Sequence, residues 1–200
     1  MSGVRPDHAA IAARVPEGAK VLDVGCGDGT LLSLLKTERQ ADARGLEVSS
    51  AGVEQCLMRG LSVIQGDAEN DLEIFPDNGF DVAILSKAIQ EMRRPAVILQ
   101  ELSRIAPDIV ISFRNYGHWR RRIGFLLSGR MPQPRQERWH DAEALHPSTA
   151  ADMLDLSEES GLSLVAVAPV SGERVGVFRP DTLGLVNLTA EDAVFHLRRA

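Results

Sequence analysis

The stretch that decides the fold is KVLDVGCGDGT at residues 20–30, which is followed at once by the apolar run LLSLL at 31–35. Its first half predicts a buried strand, and its three glycines predict a tight turn where a ligand can approach the backbone closely. The apolar run predicts a helix, whose first N–H groups Asp28 and Thr30 are placed to cap. Strand, glycine turn and helix in this order are typical of a nucleotide-cofactor loop.

Composition limits the class of protein. The length of 200 residues predicts one domain, 1–200, and 44% apolar with 25% charged residues is typical of a soluble globular chain. No apolar run approaches the ~20 residues of a membrane span, and residues 1–14 do not resemble a signal peptide. The two cysteines form neither a CxxC pair nor a metal-ligand cluster, so we expect a cytoplasmic protein without a metal site. A net charge of −6 argues against general nucleic-acid binding.

Apolar segments predict five strands, at 21–24, 44–48, 61–65, 80–86 and 108–113. Helical runs separate most of these strands, and such alternation predicts right-handed crossovers between parallel strands. In the helix that Ser49 and Ser50 cap, we expect Val53 and Leu57 to face the core, because they lie four residues apart.

The pattern changes after the fifth strand. The segment 114–147 has no clean periodicity and is expected to be an insertion on the substrate or partner side. A sixth strand is predicted at 162–170, with 193–197 preferred over 175–178 as its partner. The expected fold is therefore an α/β, doubly wound, seven-stranded, mostly parallel sheet that ends in an antiparallel hairpin.

The glycine spacing narrows the choice of cofactor. The loop reads G-x-G-x-G, whereas dinucleotide sites read G-x-G-x-x-G, and no G-K-[ST] of a P-loop follows. Acidic residues at 23, 28, 47 and 67 are expected at the carboxyl ends of the first three strands, where parallel sheets bind ligands. Carboxylates repel a pyrophosphate but suit S-adenosylmethionine, whose sulfonium and ammonium outnumber its single carboxylate. The sequence therefore predicts S-adenosylmethionine as the cofactor.

Position suggests a role for the main polar residues. Glu47 is placed to accept hydrogen bonds from both ribose hydroxyls, Asp67 lies near the adenine amino group with the Ala68 N–H beside the ring, and Asp23 lies near the methionine ammonium. Structural alternatives exist for some of them: Asp67 could cap the turn before Leu72, Asp28 could be only a helix cap, and Glu47 a solvated strand end. The predicted cofactor contacts are Asp23, Gly25, Cys26, Gly27, Gly29, Glu47, Val48, Asp67, Ala68 and Ser86.

With these motifs in place, the sequence resembles the class I S-adenosylmethionine-dependent methyltransferases, which have a Rossmann-like fold. More closely, it resembles the MetW family of methionine-biosynthesis proteins. The segments that carry the resemblance are 21–35, 45–47, 59–67, 80–86, 112–120 (SFRNYGHWR), 129–132 (GRMP) and 193–199. The chain departs from the family at Arg114, where proline is expected, and at 87–91, the loop after the fourth strand. The substrate preference that this loop controls therefore stays open.

The resemblance implies a function. MetW-like proteins are implied to work with the homoserine O-acyltransferase of methionine synthesis, as a partner that this enzyme needs for activity. The resemblance thus favours a regulatory or subunit role on a cofactor-binding fold. The alternative is an S-adenosylmethionine-dependent methyltransferase that acts on a small molecule.

One segment concentrates the residue types that anchor interfaces. The single tyrosine and both tryptophans lie between 116 and 139 together with several arginines. We expect partner or substrate contacts from Tyr116, His118, Trp119, Arg120 and Trp139. The alternative is an amphipathic helix over 116–127 that turns Trp119, Ile123 and Leu126 toward the core. Candidate bases for methyl transfer are His118, His140 and Glu91.

Overall fold

The computed structural model describes residues 4–130 and 146–200. Its eight-stranded sheet has the order β3-β2-β1-β4-β5-β8-β6-β7. The strands are β1 (Lys20–Val24), β2 (Asp42–Glu47), β3 (Ser62–Gln65), β4 (Val82–Ser86), β5 (Asp108–Arg114), β6 (Leu162–Ser171), β7 (Arg174–Val175) and β8 (Asp192–Arg199). The helices are α1 (Pro6–Ala12), α2 (Thr30–Glu38), α3 (Ser50–Met58), α4 (Pro95–Ile105), α5 (Trp119–Ser128), α6 (Ala150–Glu159) and α7 (Leu183–Thr189). Short 3₁₀ turns lie at Leu72–Ile74 and Ile89–Glu91.

The first five strands pair in parallel, as the sequence predicts, and the late strands are antiparallel. The strand count is eight and not seven. β6 pairs with both of its candidate partners: β8 lies between β5 and β6, and the two-residue β7 adds an outer edge. The prediction treated 175–178 and 193–197 as alternatives and preferred the second, whereas both segments contribute a strand; the two residues of β7 are exposed.

Two clusters of buried side chains cover the faces of the sheet. One contains Leu22 and Val24 with the helix α4, and the other contains Val21 and Ile84 with α1 and α2. Successive side chains of a strand point to opposite faces, so β1 supplies both clusters. Asp23 therefore faces the same side as Val21, toward α1.

The prediction that Val53 and Leu57 of α3 face the core was wrong. Leu57 is 60% exposed and Val53 is only half-buried, whereas Cys56 is completely buried. Cys56 packs against Leu61 and Leu32, and its Sγ contacts the carbonyl oxygen of Gly27. Helix α3 is thus held against the glycine turn by a small side chain, which a search for large apolar residues overlooks.

No helix in residues 4–130 and 146–200 combines the length and the apolar character that a membrane crossing needs. The sequence also predicts a helix at 7–15 and a helix that Ser148 caps and that ends at Ser160, and the boundaries of both differ slightly in the structure. The helix α1 ends at Ala12, short of Val15, and Thr149 caps α6 through a reciprocal pair of hydrogen bonds with Asp152. The preceding residue, Ser148, lies outside the helix.

Candidate functional site

A cavity of about 520 Å³ opens at the carboxyl ends of β1, β2 and β3. This volume is within the range of small-molecule sites. Four predicted cofactor residues, Gly25, Val48, Asp67 and Ala68, line the cavity together. The structure thus brings residues that are 43 positions apart in sequence to one cleft, at the edge where open α/β sheets bind ligands.

Glu47 ties the glycine turn to the end of β2. Its carboxylate accepts hydrogen bonds from the backbone N–H of Gly27, at 2.8 Å, and of Ser49, also at 2.8 Å. Ser49 in turn caps α3 by accepting from the Gly52 N–H. The Glu47 side chain is therefore buried and anchored, and not a solvated strand end. Each carboxylate oxygen keeps lone pairs with which it can accept further hydrogen bonds from a ligand.

Two glycines near this carboxylate are required because no larger side chain would fit at their positions. A Cβ at Gly52 would lie 2.9 Å from both Glu47 Cγ and the Gly27 carbonyl oxygen. A Cβ at Gly29, whose φ is +75°, would lie 2.5 Å from Leu61 Cδ1. Backbone and side chains therefore approach each other as closely here as glycine permits. Gly29 is the N-cap residue of α2 and has a left-handed backbone conformation. The Asp28 carboxylate accepts a hydrogen bond from the Thr30 N–H and forms an ion pair with Arg59.

Asp67 organises the loop after β3. Its carboxylate accepts from the Glu69 N–H at 2.9 Å and from the Asn70 side chain at 2.8 Å, so it does stabilise the turn that leads to Leu72. Glu69 then crosses the cleft and accepts from the Arg93 N–H and from Arg94 Nε. This bridge between the loops after β3 and β4 forms one wall of the cavity.

Several wall residues were absent from the prediction. They are Leu46, Gly66, Glu69, Asn70, Met92, Arg93 and Arg94, all of which line the cavity. Glu69 and Arg94 are 25 residues apart and match no short motif. The only available signal was their place directly after β3 and β4, at the ligand-binding edge of the sheet.

Asp23 is completely buried, and no donor among the described residues reaches either of its carboxylate oxygens. Burial raises the pKa of Asp23 to about 8; the neighbouring Arg5 opposes this rise and Glu47 adds to it. An orphaned buried carboxylate is costly unless a donor or cation completes it. The residue therefore fits a ligand that brings an ammonium group next to the glycine turn.

Ser86, the last predicted cofactor residue, lies in a different environment. Its hydroxyl contacts Asp7 Oδ2 at 3.2 Å and accepts from Arg5 at 2.5 Å. Ser112, its neighbour on β5, donates to the same Asp7 oxygen at 2.8 Å. The structure thus places Ser86 in a polar layer beneath α1, on the face that Asp23 also occupies.

Cys26 and Cys56 approach each other behind the turn, with 3.9 Å between their sulfur atoms. Burial raises the pKa of both thiols, and Asp23 adds to the effect at Cys26. Both sulfur atoms are therefore protonated packing groups at neutral pH. Cys26 also lies where a Cβ at Gly45 would collide with it, at 2.4 Å from Sγ.

Asn115 anchors the segment that follows β5. Its side-chain amide donates to the carbonyl oxygens of Val186, Asn187 and Ala190, and its side-chain oxygen accepts from the Gly117 N–H. Gly117 is required because a Cβ there would lie 2.2 Å from Asn187 Oδ1. The segment 115–118 (NYGH) therefore holds the start of α5 against α7.

The residues predicted to contact a partner fall into two groups. Trp119 is 43% exposed, and the Arg120 guanidinium stacks on its ring at 5.3 Å. Tyr116 is half-buried beneath Arg121, and His118 is buried and caps α5 by accepting from the Arg120 N–H. Trp139 lies outside the described residues.

The alternative considered for this segment, a helix with an inward-facing apolar side, was wrong. The helix α5 begins at Trp119, and none of its ten residues is buried. Ile123 is 46% exposed and Leu126 is 79% exposed. With Trp119 and Leu127 they form an apolar stripe on one side of α5, which we call the α5 stripe.

The candidate bases are scattered. Glu91 lines the cavity, whereas His118 serves as the cap of α5, where burial lowers its pKa. His140 lies outside the described residues. In the part of the chain that the structure describes, no group of three or more His, Cys, Asp or Glu side chains is arranged to hold a metal ion.

Comparison with known proteins agrees with this geometry. The family model of the methionine biosynthesis protein MetW matches residues 5–197. The chain belongs to the MetW family. This MetW-family chain is 30% identical over 161 residues to the bifunctional methionine biosynthesis protein MetXA/MetW of Rhodopirellula baltica, a match that covers 75% of the chain and 26% of that protein. It is 39% identical over 103 residues to a fatty-acid O-methyltransferase of Mycolicibacterium smegmatis, over 49% of the chain and 37% of that protein.

The MetW-family chain thus spans only 26% and 37% of the length of these two curated relatives. Its fold is shared with solved S-adenosylmethionine-dependent methyltransferases. One from Thermotoga maritima, described as a possible histamine N-methyltransferase, superposes with a TM-score of 0.72 at 19% identity, over 98% of this chain and 88% of that one. The class I methyltransferase fold expected for this MetW-family protein is confirmed.

Proposed function

We propose that this protein binds S-adenosylmethionine in the cleft described above and acts as the partner and activator of homoserine O-acyltransferase in methionine biosynthesis. The observation that carries the proposal is the exposed α5 stripe on a member of the MetW family. The Rhodopirellula relative, whose name joins MetXA to MetW in one bifunctional protein, supports an association of the two proteins. We take MetXA to be the acyltransferase of the pair.

The residues that line the cleft, together with those at the adjoining ends of β1 and β2, support S-adenosylmethionine as the ligand. Asp67 and the Ala68 N–H are placed for the adenine, and Glu47 for the ribose hydroxyls, since its oxygens retain lone pairs. The orphaned Asp23 is placed for the methionine ammonium. The backbone of the loop glycines, Gly25, Gly27 and Gly29, and of Cys26, which follows Gly25, would contact the methionine part. When bound, the cofactor supplies a methyl group that its sulfonium already activates.

Glu47 provides a test of the ribose assignment. In Glu47→Ala, the affinity for S-adenosylhomocysteine is expected to fall about 30-fold, or about 2 kcal/mol, because two charge-assisted hydrogen bonds are lost. Isothermal titration calorimetry measures the effect. Glu54→Ala, which removes an exposed carboxylate from α3, is the matched control. Equal affinities of Glu47→Ala and the wild-type protein would refute the assignment.

The α5 stripe has the chemistry of a docking surface. Arg120, Arg121 and Arg122 flank it, and α5 contains no acidic residue. An apolar stripe that contains a tryptophan and is flanked by arginines has the composition of an interface core. Because the chain as a whole carries a net charge of −6, this basic helix is also distinct from the remaining surface. An acyltransferase with an apolar patch bordered by carboxylates would complement it.

Complex formation tests the proposal. The acyltransferase of the same organism, titrated into this protein in a calorimeter, should bind with a defined stoichiometry, and light scattering should give the mass of a complex. Two separate species at the highest attainable concentrations would contradict the proposed partnership. The titration should be made with and without S-adenosylmethionine, because a cofactor that reports methionine status would change the affinity.

A second candidate, methyl transfer to a small molecule, is favoured by the match to the fatty-acid O-methyltransferase. Lys87 at the end of β4 supports it, because this residue has a φ of +58° and pairs with Asp192 at 2.7 Å. Backbone strain of this kind clusters at functional sites. Trp119→Ala separates the two functions: it should weaken acyltransferase binding in the first case and raise the KM for the acceptor in the second.

A further inference from the structure

The outer edge of β6 is covered over only part of its length. The short strand β7 and, further along the chain, Arg179 cover residues 167–171, where Arg179 exchanges two backbone hydrogen bonds with Val167. Pro180 comes next, and because proline has no N–H it cannot continue this pairing. Among the described residues, no strand or bridge pairs with the outer edge at 162–164. The beginning of β6 is therefore an open edge of the sheet.

The backbone groups of this open edge point away from the sheet. On β8, the Arg199 N–H donates to the carbonyl oxygen of Pro107, so Arg199 faces β5. Paired residues of antiparallel strands alternate between bonded and non-bonded pairs, so Leu162, the partner of Arg199, faces away from β8. Leu164 pairs with Leu197, two residues before Arg199, and faces the same way. Outside the strand ladders, no backbone hydrogen bond in the described part of the chain reaches either leucine, so each presents a free donor and a free acceptor.

A cavity of about 580 Å³ lies beside the open edge. It is bounded by the beginning of β6, by α6 and by the beginning of α7, and its apolar lining includes Leu154, Leu162, Leu164, Pro180 and Leu183. The side chains of Leu162 and Leu164 share one face of β6, because residues two apart in a strand point the same way. A strand added at this edge would place every second side chain on that face, against the leucines.

The charge around the cavity is negative. Glu158 of α6 and Asp181, which precedes α7, line the cavity and are exposed, and neither carboxylate has a hydrogen-bond or ion-pair partner among the described residues. Helix α6 carries four acidic residues and no basic one. Pairing of two copies of β6 would bring these carboxylates together at one interface, where like charges are destabilising. The complementary partner is therefore basic.

We propose that the open edge of β6 binds an extended segment of a partner protein as an additional antiparallel strand, with an apolar residue in the cavity and basic residues on either side of it. The antiparallel direction continues the pairing of β7 on the same edge. Main-chain hydrogen bonds to Leu162 and Leu164 supply affinity, and the cavity with Glu158 and Asp181 supplies specificity. The site lies at the amino end of the parallel strands, opposite the cofactor cleft and α5, and does not depend on the proposed function.

A short synthetic peptide with blocked ends, in which threonines separate a central leucine from a lysine on each side, is the probe. The full chain should bind it about tenfold or more tightly than the same peptide with glutamate in place of lysine, as measured by fluorescence anisotropy. N-methylation of the leucine nitrogen, which would face β6, should weaken binding about fivefold or more, whereas N-methylation of a threonine nitrogen, which would face away, is the matched control. In the saturated complex, hydrogen exchange at the Leu162 and Leu164 amides should slow about tenfold or more.

The protein variant Glu158→Gln/Asp181→Asn should bind the lysine peptide about fivefold more weakly, and Glu54→Gln, on an exposed carboxylate of α3, should bind it as the wild-type protein does. Equal affinities for the lysine and glutamate peptides would overturn the proposal, and so would equal binding of the two N-methylated peptides. Absence of binding at millimolar peptide concentrations would overturn it as well. Light scattering of the protein alone gives a further check, because a dimer in which the Leu162 and Leu164 amides are already protected would show that a second copy occupies the edge and would overturn the proposal.

Discussion

Replacing Ile123 and Leu126 with glutamate is expected to weaken binding of the acyltransferase by about 100-fold or more. Both side chains belong to the α5 stripe, where they are 46% and 79% exposed. A few residues carry most of the binding energy of an interface, so replacing apolar residues of the docking surface with charged ones should remove much of it. A carboxylate there would lose its hydration in the complex, and it would compete with the acyltransferase for the arginines that flank the stripe. Calorimetry of the two purified proteins measures the change.

The same pair of substitutions should leave the fold intact, because exposed positions change the free energy of unfolding by only about 0.5 kcal/mol. The affinity for S-adenosylhomocysteine should also be unchanged. Leu57→Glu is the matched control, since this leucine is 60% exposed on α3, away from α5. If Leu57→Glu weakens the complex as much as the α5 substitutions do, the docking surface is not on α5.

Binding of S-adenosylhomocysteine is expected to strengthen as the pH rises from 6 to 7, by up to tenfold. Burial raises the pKa of Asp23 to about 8, so this carboxyl is protonated in the free protein over that range. It must ionise to accept the ligand ammonium, and binding therefore releases a proton. His8, the histidine of α1, does not titrate in this range, because burial lowers its pKa to about 4.

Calorimetry in two buffers of different ionisation enthalpy measures the released proton directly. In Asp23→Asn both the proton release and the pH dependence should disappear, while binding becomes weaker. The pH dependence of folding stability has the opposite sign to that of ligand affinity. The folded pKa lies above the unfolded value, so the contribution of Asp23 to stability is complete below about pH 4 and is lost as the pH rises through 8. An affinity that does not change between pH 6 and 7 would contradict the role of Asp23.

Local motifs explain what could be predicted from the sequence. The strand, glycine turn and helix at 20–35 are formed by neighbours in the chain. Gly25, Val48, Asp67 and Ala68 each lie just after a predicted strand, and this position was enough to place them at one edge of the sheet. The parallel order of the first five strands followed from the alternation of strands and helices. Each of these features rests on periodicity or on the position of a residue relative to a strand end.

Features that depend on distant contacts could not be predicted. The bond between Ser112 and Asp7 joins residues 105 positions apart, and nothing in either segment indicates it. Cys56 and not Leu57 faces the core, because the close approach of Gly52 to Glu47 fixes the rotation of α3. The α5 stripe has a helical period that is also typical of a core-facing helix, and only its exposure shows that it remains uncovered by the described residues.

The rate of homoserine acylation by the acyltransferase of the same organism, measured with and without this protein across S-adenosylmethionine concentrations, tests the account most directly. We expect the protein to stimulate acylation and the stimulation to depend on the cofactor concentration. The Ile123→Glu/Leu126→Glu variant should bind the cofactor and fail to stimulate. An acylation rate that this protein leaves unchanged at every cofactor concentration, with no complex between the two proteins, would contradict the account and favour a methyltransferase with a small-molecule acceptor.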